Sequence, residues 1–536
     1  MQGTILPCLW SGSHPFTLVL MSSAAPPTDP HRRPSTPPTV EVRTIDHVPE
    51  NERHGKARDL FTVWFGSNIM LLTVASGVAS TVAFGLPIWA AAIALVIGHL
   101  VGGVVMALHA AQGPQMGVPQ MLQTKAQFGS YGSLLVVIIV VLMYLGFFAS
   151  NMVLGGQAIS YLFHWNVKPS IILIGLISVI AAIVGYKLIH ALAGLLSIVS
   201  GAVLVLAFVW TFGVNGVPET AFSSGTVTMA GFMSTVTLGA VWQIAYAPYV
   251  SDYTRYMPKG TGTKPAFWAT YSGAVLGSLF PMLLGAVAGA AMATDDTVAA
   301  ISGVTHGIGG LVVAVFGIAI GCTNAMNLYC GSLSTITVGQ TFFPKWLPQA
   351  RGRAVVASLL FLAALGMALL GADNFLTYFT NFMTLLMCAL IPWTAVNLVD
   401  YYLLRHGEYH IGSLFMRDGG HYGKVNYPAV ICYVVGILVQ LPFIVTAMFE
   451  GPLAKAMNHT DISWIVGLVI VCPLYYLLMR KNSGLNTGPL QPGPPTATVS
   501  SVGAVGATMP DAVATVVAEP SPTVGHGADA TEGPTA

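Results

Sequence analysis

Charge is what this chain has least of. Asp, Glu, Lys and Arg make up 8% of its 536 residues, where soluble domains carry about 25%. So little charge excludes an ordinary water-soluble domain, and a net charge of +1 says nothing about acidic or basic partners. Cysteine is also sparse. Of Cys8, Cys322, Cys330, Cys388, Cys432 and Cys472, only Cys8 lies outside an apolar segment, and no CxxC spacing occurs. That excludes a disulfide framework and a cysteine metal site and leaves the buried thiols as small apolar groups. The sequence has no Walker motif, no HExxH, no GxSxG and no charged catalytic cluster. An ATP-driven pump or a membrane hydrolase therefore lacks its parts. No enzyme activity, resident cofactor, nucleic-acid partner or obligate protein partner is expected.

Long apolar runs are what it has instead. Hydrophobic residues make up 54% of the chain and the mean hydropathy is +0.72. Between residues 59 and 481 about twelve segments reach the roughly 20 residues that a membrane-spanning helix needs. The expectation is an all-α polytopic membrane domain of about twelve transmembrane helices. Residues 1–58 are rich in Pro, Ser and Thr ("AAPPTDPHRRPSTPPT") and residues 482–536 in Pro, Gly, Ala and Thr, so both read as disordered tails. "MQGTILPCLWSGSHPFTLVLM" has no basic leading region, which argues against a cleaved signal peptide; a start at Met21 accounts for it as readily. Nineteen of the 21 Lys and Arg residues fall on one side of the alternating segments, and only Lys168 and Lys455 on the other. Basic loops face the cytoplasm, so a plasma (inner) membrane protein with both tails cytoplasmic is expected.

Four spans carry groups that a plain anchor does not need. The sixth reads "GAVWQIAYAPYVSDYTRYMP" from Gly239 to Pro258. Trp242, Tyr246, Tyr249 and Tyr253 are spaced by four, three and four and share one helical face, with Gln243 beside it. Pro248 removes an intrahelical hydrogen bond, and broken spans are tolerated at membrane depth where they line a cavity. A kinked packing stripe is the plainer alternative. The first span holds "VWFGSNIMLL", where Gly66, Ser67 and Asn68 can unwind the helix and free carbonyls for an ion, or let helices pack closely. In the eighth, "IAIGCTNAMNLYCGSLSTIT", Thr323, Asn324 and Asn327 share a face. Such groups are costly in hydrocarbon unless partnered, which suits a substrate or cation wall, or interhelical hydrogen bonds. In the third, "VLMYLGFFASNMVLGGQ", Tyr144, Phe147 or Phe148, and Asn151 repeat at helical spacing. Rings on two helices can sandwich a flat ligand. His99 and His190 read as packed histidines. Asp252, beside Arg255, and Asp400 stand at helix ends as ion pairs or gates.

"ERHGKARDLFTVWFGSN" (52–68), "GPQMGVPQMLQTKAQFG" (113–129), "YAPYVSDYTRYMP" (246–258) and "NFLTYFTNFMTLLMCALIPWTAVNLVDYYLLRHGEY" (374–409) resemble the nucleobase–cation symporter family, and within it the bacterial purine–cytosine permeases. The resemblance covers about residues 46–480. It implies a leucine-transporter-like fold, in which spans one to five and six to ten form inverted repeats, the first and sixth are broken, and two helices follow. It also implies a flat heterocycle held between the third and sixth spans. Carried over, Phe147 stands where a stacking tryptophan is usual, and Tyr144 where a glutamine bonds the base. Trp242 and Gln243 stand at the stacking and bonding positions of the sixth span, with Tyr246 on the same stripe. Asn324 and Asn327 match the eighth-span amides. A cation would meet first-span carbonyls between Phe65 and Ile69, at Asn68 among them, and Cys322 and Thr323 where two hydroxyl residues are usual. Sulfur is a poor ligand for a hard cation, so sodium, the one metal in question, is disfavoured and proton coupling stays open.

The resemblance thus implies a secondary active transporter importing cytosine or a purine by cation symport. The same fold carrying allantoin, hydantoin, thiamine or a related ring is the alternative. A non-transporting nutrient receptor is a third reading, from a different class.

Overall fold

The computed structural model describes residues 45–480, apart from 185, 261, 344, 345, 347 and 349. Met1, Met21, Cys8, the bulk of both expected tails and the side chain of His190 lie outside the described residues. Each expected apolar segment coincides with a helix or a pair of half-helices. The first span is Ala57–Asn68 with Leu71–Val82. The second, third, fourth and fifth are Ile88–Ala110, Ser133–Phe163, Val167–Val184 and Tyr186–Val209. The sixth is Met229–Ile244 with Ala247–Thr254. The seventh to tenth are Thr263–Met292, Gly309–Phe342, Ala350–Gly371 and Phe375–Leu398, and Tyr427–Gln440 and Ser463–Met479 complete the set. Among the described residues the nearest thing to a strand is an isolated bridge between Val445 and Glu450.

Both breaks follow from local chemistry. Ser67 Oγ and Asn68 Nδ2 donate back to the carbonyls of Val63 and Trp64, each at 2.6 Å. Such back-bonding competes with helix continuation. The Ile69 amide then turns to the Gly66 carbonyl rather than to Phe65, and Met70 is extended. Thr73 Oγ1 donates to the Asn68 carbonyl at 2.5 Å, and the two halves meet at 57°. In the sixth span the break falls at Ala245 and Tyr246. Pro248, which lacks an N–H, sits in the first turn of the second half-helix, where that N–H would be unpaired anyway.

The second half of the first span crosses the seventh at glycines on both helices. A Cβ on Gly77 would stand 2.0 Å from the Met282 carbonyl oxygen, and one on Gly285 2.1 Å from that of Val74. The second span packs on the sixth and the third on the eighth.

The tail boundary expected at residue 58 falls within a packed segment. Ile45 and Val48 are buried, the Val48 amide bonds the Gly117 carbonyl, and Arg53 Nη1 donates to the Pro114 carbonyl at 2.6 Å. Lys125, one of the charges on the basic face, is buried in the short helix Gln120–Phe128, and burial pushes its ammonium down to about 8.

Asp400 ends the tenth span inside a π-helical turn. It accepts from Arg405 Nε at 3.0 Å, Tyr409 at 2.7 Å and Tyr475 at 2.9 Å. It is therefore half of an ion pair at the end of the tenth span, with side chains 11% exposed at Arg405 and 1% at Asp400, and its hydrogen bond from Tyr475 joins that end to the twelfth span. Asp400→Asn leaves the guanidinium without its counter-charge. It is expected to cost about 2 kcal/mol, below the range for a fully buried pair because Arg405 reaches water. A thermal melt of the purified variant in detergent checks this.

Candidate functional site

The two breaks lie against one another. Trp242, at the end of the first half of the sixth span, donates from Nε1 to Asn68 Oδ1 at 2.8 Å. Trp64 meets Tyr246 edge to face at 5.4 Å. Between the breaks and the third and eighth spans lies a cavity of about 10 Å³, about the room that one water needs, so a flat ring enters only as these walls move apart. The third span contributes Phe147 and Asn151, and the sixth Trp242, Ala245, Tyr246 and Tyr249. Met70 comes from the first break, and Thr323 and Asn327 from the eighth span.

The rings form a connected cluster. Phe147 stands edge to face with Trp242 at 6.3 Å and with Phe382 of the tenth span at 5.2 Å. Tyr246 touches Trp242 at 6.3 Å and Tyr249 at 5.4 Å. Phe147 and Trp242 are 83° apart in plane. A flat molecule stacks on both only after one ring turns.

The polar groups divide into two sets. Tyr249 donates to Asn327 Oδ1 at 2.5 Å, Asn327 donates to Asn324 Oδ1 at 3.2 Å, and Asn324 donates to the Phe148 carbonyl at 3.2 Å. That chain satisfies itself. Asn151 differs: it is fully buried on the cavity wall, and neither its Oδ1 nor its Nδ2 has a hydrogen-bond partner among the described residues. A buried amide left unbonded costs about 1–3 kcal/mol, so its presence here calls for an explanation.

Of the residues expected at the substrate, Trp242, Tyr246, Phe147 and Asn327 line this cavity, and Gln243, Tyr144 and Asn324 do not. Gln243 is one residue past Trp242, about 100° around the helix, and its amide donates to Ser278 Oγ at 2.7 Å on the seventh span. Tyr144 is spent on the Pro248 carbonyl at 3.0 Å, behind Tyr249. Asn324 backs Asn327. Tyr249, on the expected sixth-span stripe, and Asn151, on the expected third-span face, line the cavity as well, and Met70 and Ala245 are the site residues that sequence reasoning missed. Asn151 stands at helical spacing from Phe147, but the resemblance gives the amide's part to Tyr144.

Of the residues expected at a cation, Thr323 Oγ1 donates to the Ser67 carbonyl at 2.8 Å, tying the eighth span to the first break. Asn68 and Ile69 form that break, and Phe65 lies one turn before it with its ring stacked on Phe61 at 5.5 Å. Cys322 is buried next to Thr323. His99 is a packed histidine, its Nδ1 on the Leu95 carbonyl at 2.8 Å.

Towards the basic face, amides close the bundle. Gln112 Nε2 donates to Asn397 Oδ1 at 2.7 Å, Ser251 Oγ to Gln120 Oε1 at 2.5 Å, and the Gln120 amide to Asp252 Oδ1 at 2.9 Å. Asp252 thus joins the sixth span to the helix Gln120–Phe128. Arg255 is buried and donates to Tyr256 Oη at 3.2 Å.

Residues 47–467 match the family model described as "Permease for cytosine/purines, uracil, thiamine, allantoin". The chain belongs to this permease family. YxlA of Bacillus subtilis (strain 168), provisionally named a purine-cytosine permease, is 40% identical over 452 residues, which cover 83% of this chain and 96% of YxlA. The purine-cytosine permease fcyB of Emericella nidulans is 22% identical, covering 82% of this chain and 88% of its own. Two solved structures share the fold. Mhp1, a nucleobase-cation-symport-1 family transporter in a closed conformation with bromovinylhydantoin bound, superposes with a TM-score of 0.67 at 19% identity, over 83% of this chain and 96% of Mhp1. A Na+-coupled sialic acid symporter gives 0.56 at 14% identity, over 81% and 91%. The permease is therefore a multi-pass membrane protein with the leucine-transporter-like fold: two inverted five-helix repeats, each opening on a broken span, followed by two further helices.

Proposed function

We propose that this permease is a secondary active transporter that imports a nucleobase, cytosine or a purine, by cation symport with alternating access. It would work in the plasma (inner) membrane with both termini in the cytoplasm, through a transporter domain that takes in the packed segment from about residue 45 and runs to about residue 480. The Asn151 amide carries this reading. It offers a donor and an acceptor side by side, unpartnered, on a wall otherwise made largely of rings. A nucleobase presents the complementary edge, and aromatic side chains stack on the face of any base. The names of YxlA and fcyB support the same class of substrate. In this reading Trp242 and Phe147 stack on the base, Asn151 and Asn327 bond its edge, and Tyr246 covers it. Gln243, Tyr144 and Asn324 hold the neighbouring helices in place.

The coupling ion would act where Thr323 meets the Ser67 carbonyl, beside the released backbone of Phe65 to Ile69. Sodium takes oxygen ligands, as hard cations do. Thr323 and the carbonyls supply oxygen, and Cys322 supplies sulfur, so a proton fits at least as well. Thr323→Val keeps the shape and removes the hydroxyl. It is expected to cut ion-driven accumulation about 5- to 10-fold, the worth of one such bond, without reducing the amount of protein in the membrane.

The test is uptake of labelled cytosine, adenine, guanine, hypoxanthine and uracil into cells lacking their own nucleobase permeases, with and without sodium and with a protonophore. One base should accumulate, and its loss without sodium or with the protonophore names the ion. If no base accumulates while allantoin, hydantoin or thiamine does, the nucleobase is the wrong cargo. Binding of a base without accumulation would favour a receptor.

A further inference from the structure

A second pocket lies on the basic face and shares no lining residue with the central cavity. It is open, has a volume of about 530 Å³, and is lined by Tyr131, Met416, Arg417, Asp418 and Lys424. Its walls are stitched together by backbone. The amides of Ser130 and Tyr131, just before the third span, donate to the carbonyls of Gly423 and Lys424 at 3.1 and 2.8 Å. Ser130 Oγ donates to the Arg417 carbonyl at 2.9 Å. The loop between the tenth and eleventh spans is thereby fixed against the start of the third.

The charges in this pocket are not balanced in the ordinary way. Arg417 Nε donates to Tyr131 Oη at 3.3 Å, and its terminal nitrogens have no partner among the described residues. Lys424 has no side-chain partner among them either. Asp418, the one acid lining the pocket, turns its Oδ1 back to the Gly420 amide at 3.0 Å and makes no ion pair there. Two cations thus share one space with a single carboxylate, and neither is ion-paired to it.

Its surroundings set the depth. Phe342, packed edge to face on Tyr131 at 6.2 Å, is 48% exposed, and Tyr427, at the start of the eleventh span, is 70% exposed. Leu135 and, about one turn further along, Ile138 face outward on the third span. Exposed aromatics beside exposed aliphatics mark the bilayer boundary, and a basic pocket there, between spans, has the form that holds anionic headgroups.

We propose that this pocket seats the phosphate of an anionic phospholipid headgroup from the leaflet on the basic face. Arg417 and Lys424 hold the phosphate, Tyr131 positions the guanidinium, and the acyl chains lie along Phe342 and the third span. The site is separate from the transport cavity and its occupancy steadies the loop that joins the tenth and eleventh spans.

The test uses the purified full-length chain in detergent, titrated with phosphatidylglycerol, phosphatidylcholine, inorganic phosphate or glycerol phosphate while its melting temperature is followed. Phosphatidylglycerol is expected to raise the melting temperature saturably, and the other three are not. The double variant R417A/K424A is expected to weaken the phosphatidylglycerol midpoint about 25-fold, the product of two contacts worth about 5-fold each. R417K/K424R keeps both charges and should keep most of the shift, which controls for a folding defect. An equal response to phosphatidylcholine, or an unchanged midpoint in R417A/K424A, would overturn the proposal. So would a shift reproduced by inorganic phosphate or glycerol phosphate alone, which would assign the pocket to a soluble anion.

Discussion

Asn151→Ala is expected to weaken nucleobase binding and uptake about 10- to 100-fold while leaving the protein as stable as before, or slightly more so. The reason lies in its missing partners. The amide is buried on the cavity wall with both polar atoms unbonded, so removing it breaks no intramolecular hydrogen bond and ends a desolvation cost. With a base present, the same atoms gain about two hydrogen bonds, worth together about 1–3 kcal/mol. Asn327 makes the contrast. It accepts from Tyr249 and donates to Asn324, so Asn327→Ala strands two buried groups and should lower both the melting temperature and the affinity. Equilibrium binding of a labelled base, read beside a thermal melt, separates the two. A parallel loss of stability in Asn151→Ala would show that its amide is structural.

Gly77→Val is expected to abolish folded protein altogether. A Cβ at Gly77 would overlap the Met282 carbonyl oxygen at 2.0 Å and lie 2.9 Å from the Ala286 amide nitrogen. Those are backbone atoms of the seventh span, which cannot rotate aside. The two helices would have to separate, losing the close packing that drives helix association in a bilayer. The cost should exceed about 4–5 kcal/mol, the upper range for single substitutions. Gly366 provides the control. It lies within the ninth span with open space around its Cβ position, so Gly366→Ala should be neutral or gain up to about 1 kcal/mol. Monodispersity on size exclusion after detergent extraction reports both.

The spans were legible because a bilayer leaves so little choice: each backbone group must be satisfied within its own helix. The breaks were legible for a related reason. Gly66, Ser67, Asn68 and Pro248 conflict with an uninterrupted apolar helix, and the chain opens at or beside them. The direction of individual side chains was harder to read. Gln243 follows Trp242 in the chain, yet points to Ser278 because one step turns the helix by about 100°. Tyr144 and Asn151 both repeat with Phe147, and only the packing of Tyr249 against Tyr144 decides which one meets the cavity. The segment around Val48 and Arg53 gave no periodic signal, because its order comes from partners over sixty residues away, the Pro114 and Gly117 carbonyls.

The central claim is that a nucleobase crosses the membrane through the cavity between the third and sixth spans. Counterflow in proteoliposomes tests it most directly: purified protein is reconstituted, the vesicles are loaded with unlabelled base, and entry of labelled base is followed. Rapid entry with the wild type, and its loss in Asn151→Ala and Trp242→Ala variants that still fold, is the predicted result. Undiminished entry in both variants would contradict the account, because the base would then be crossing by some other path.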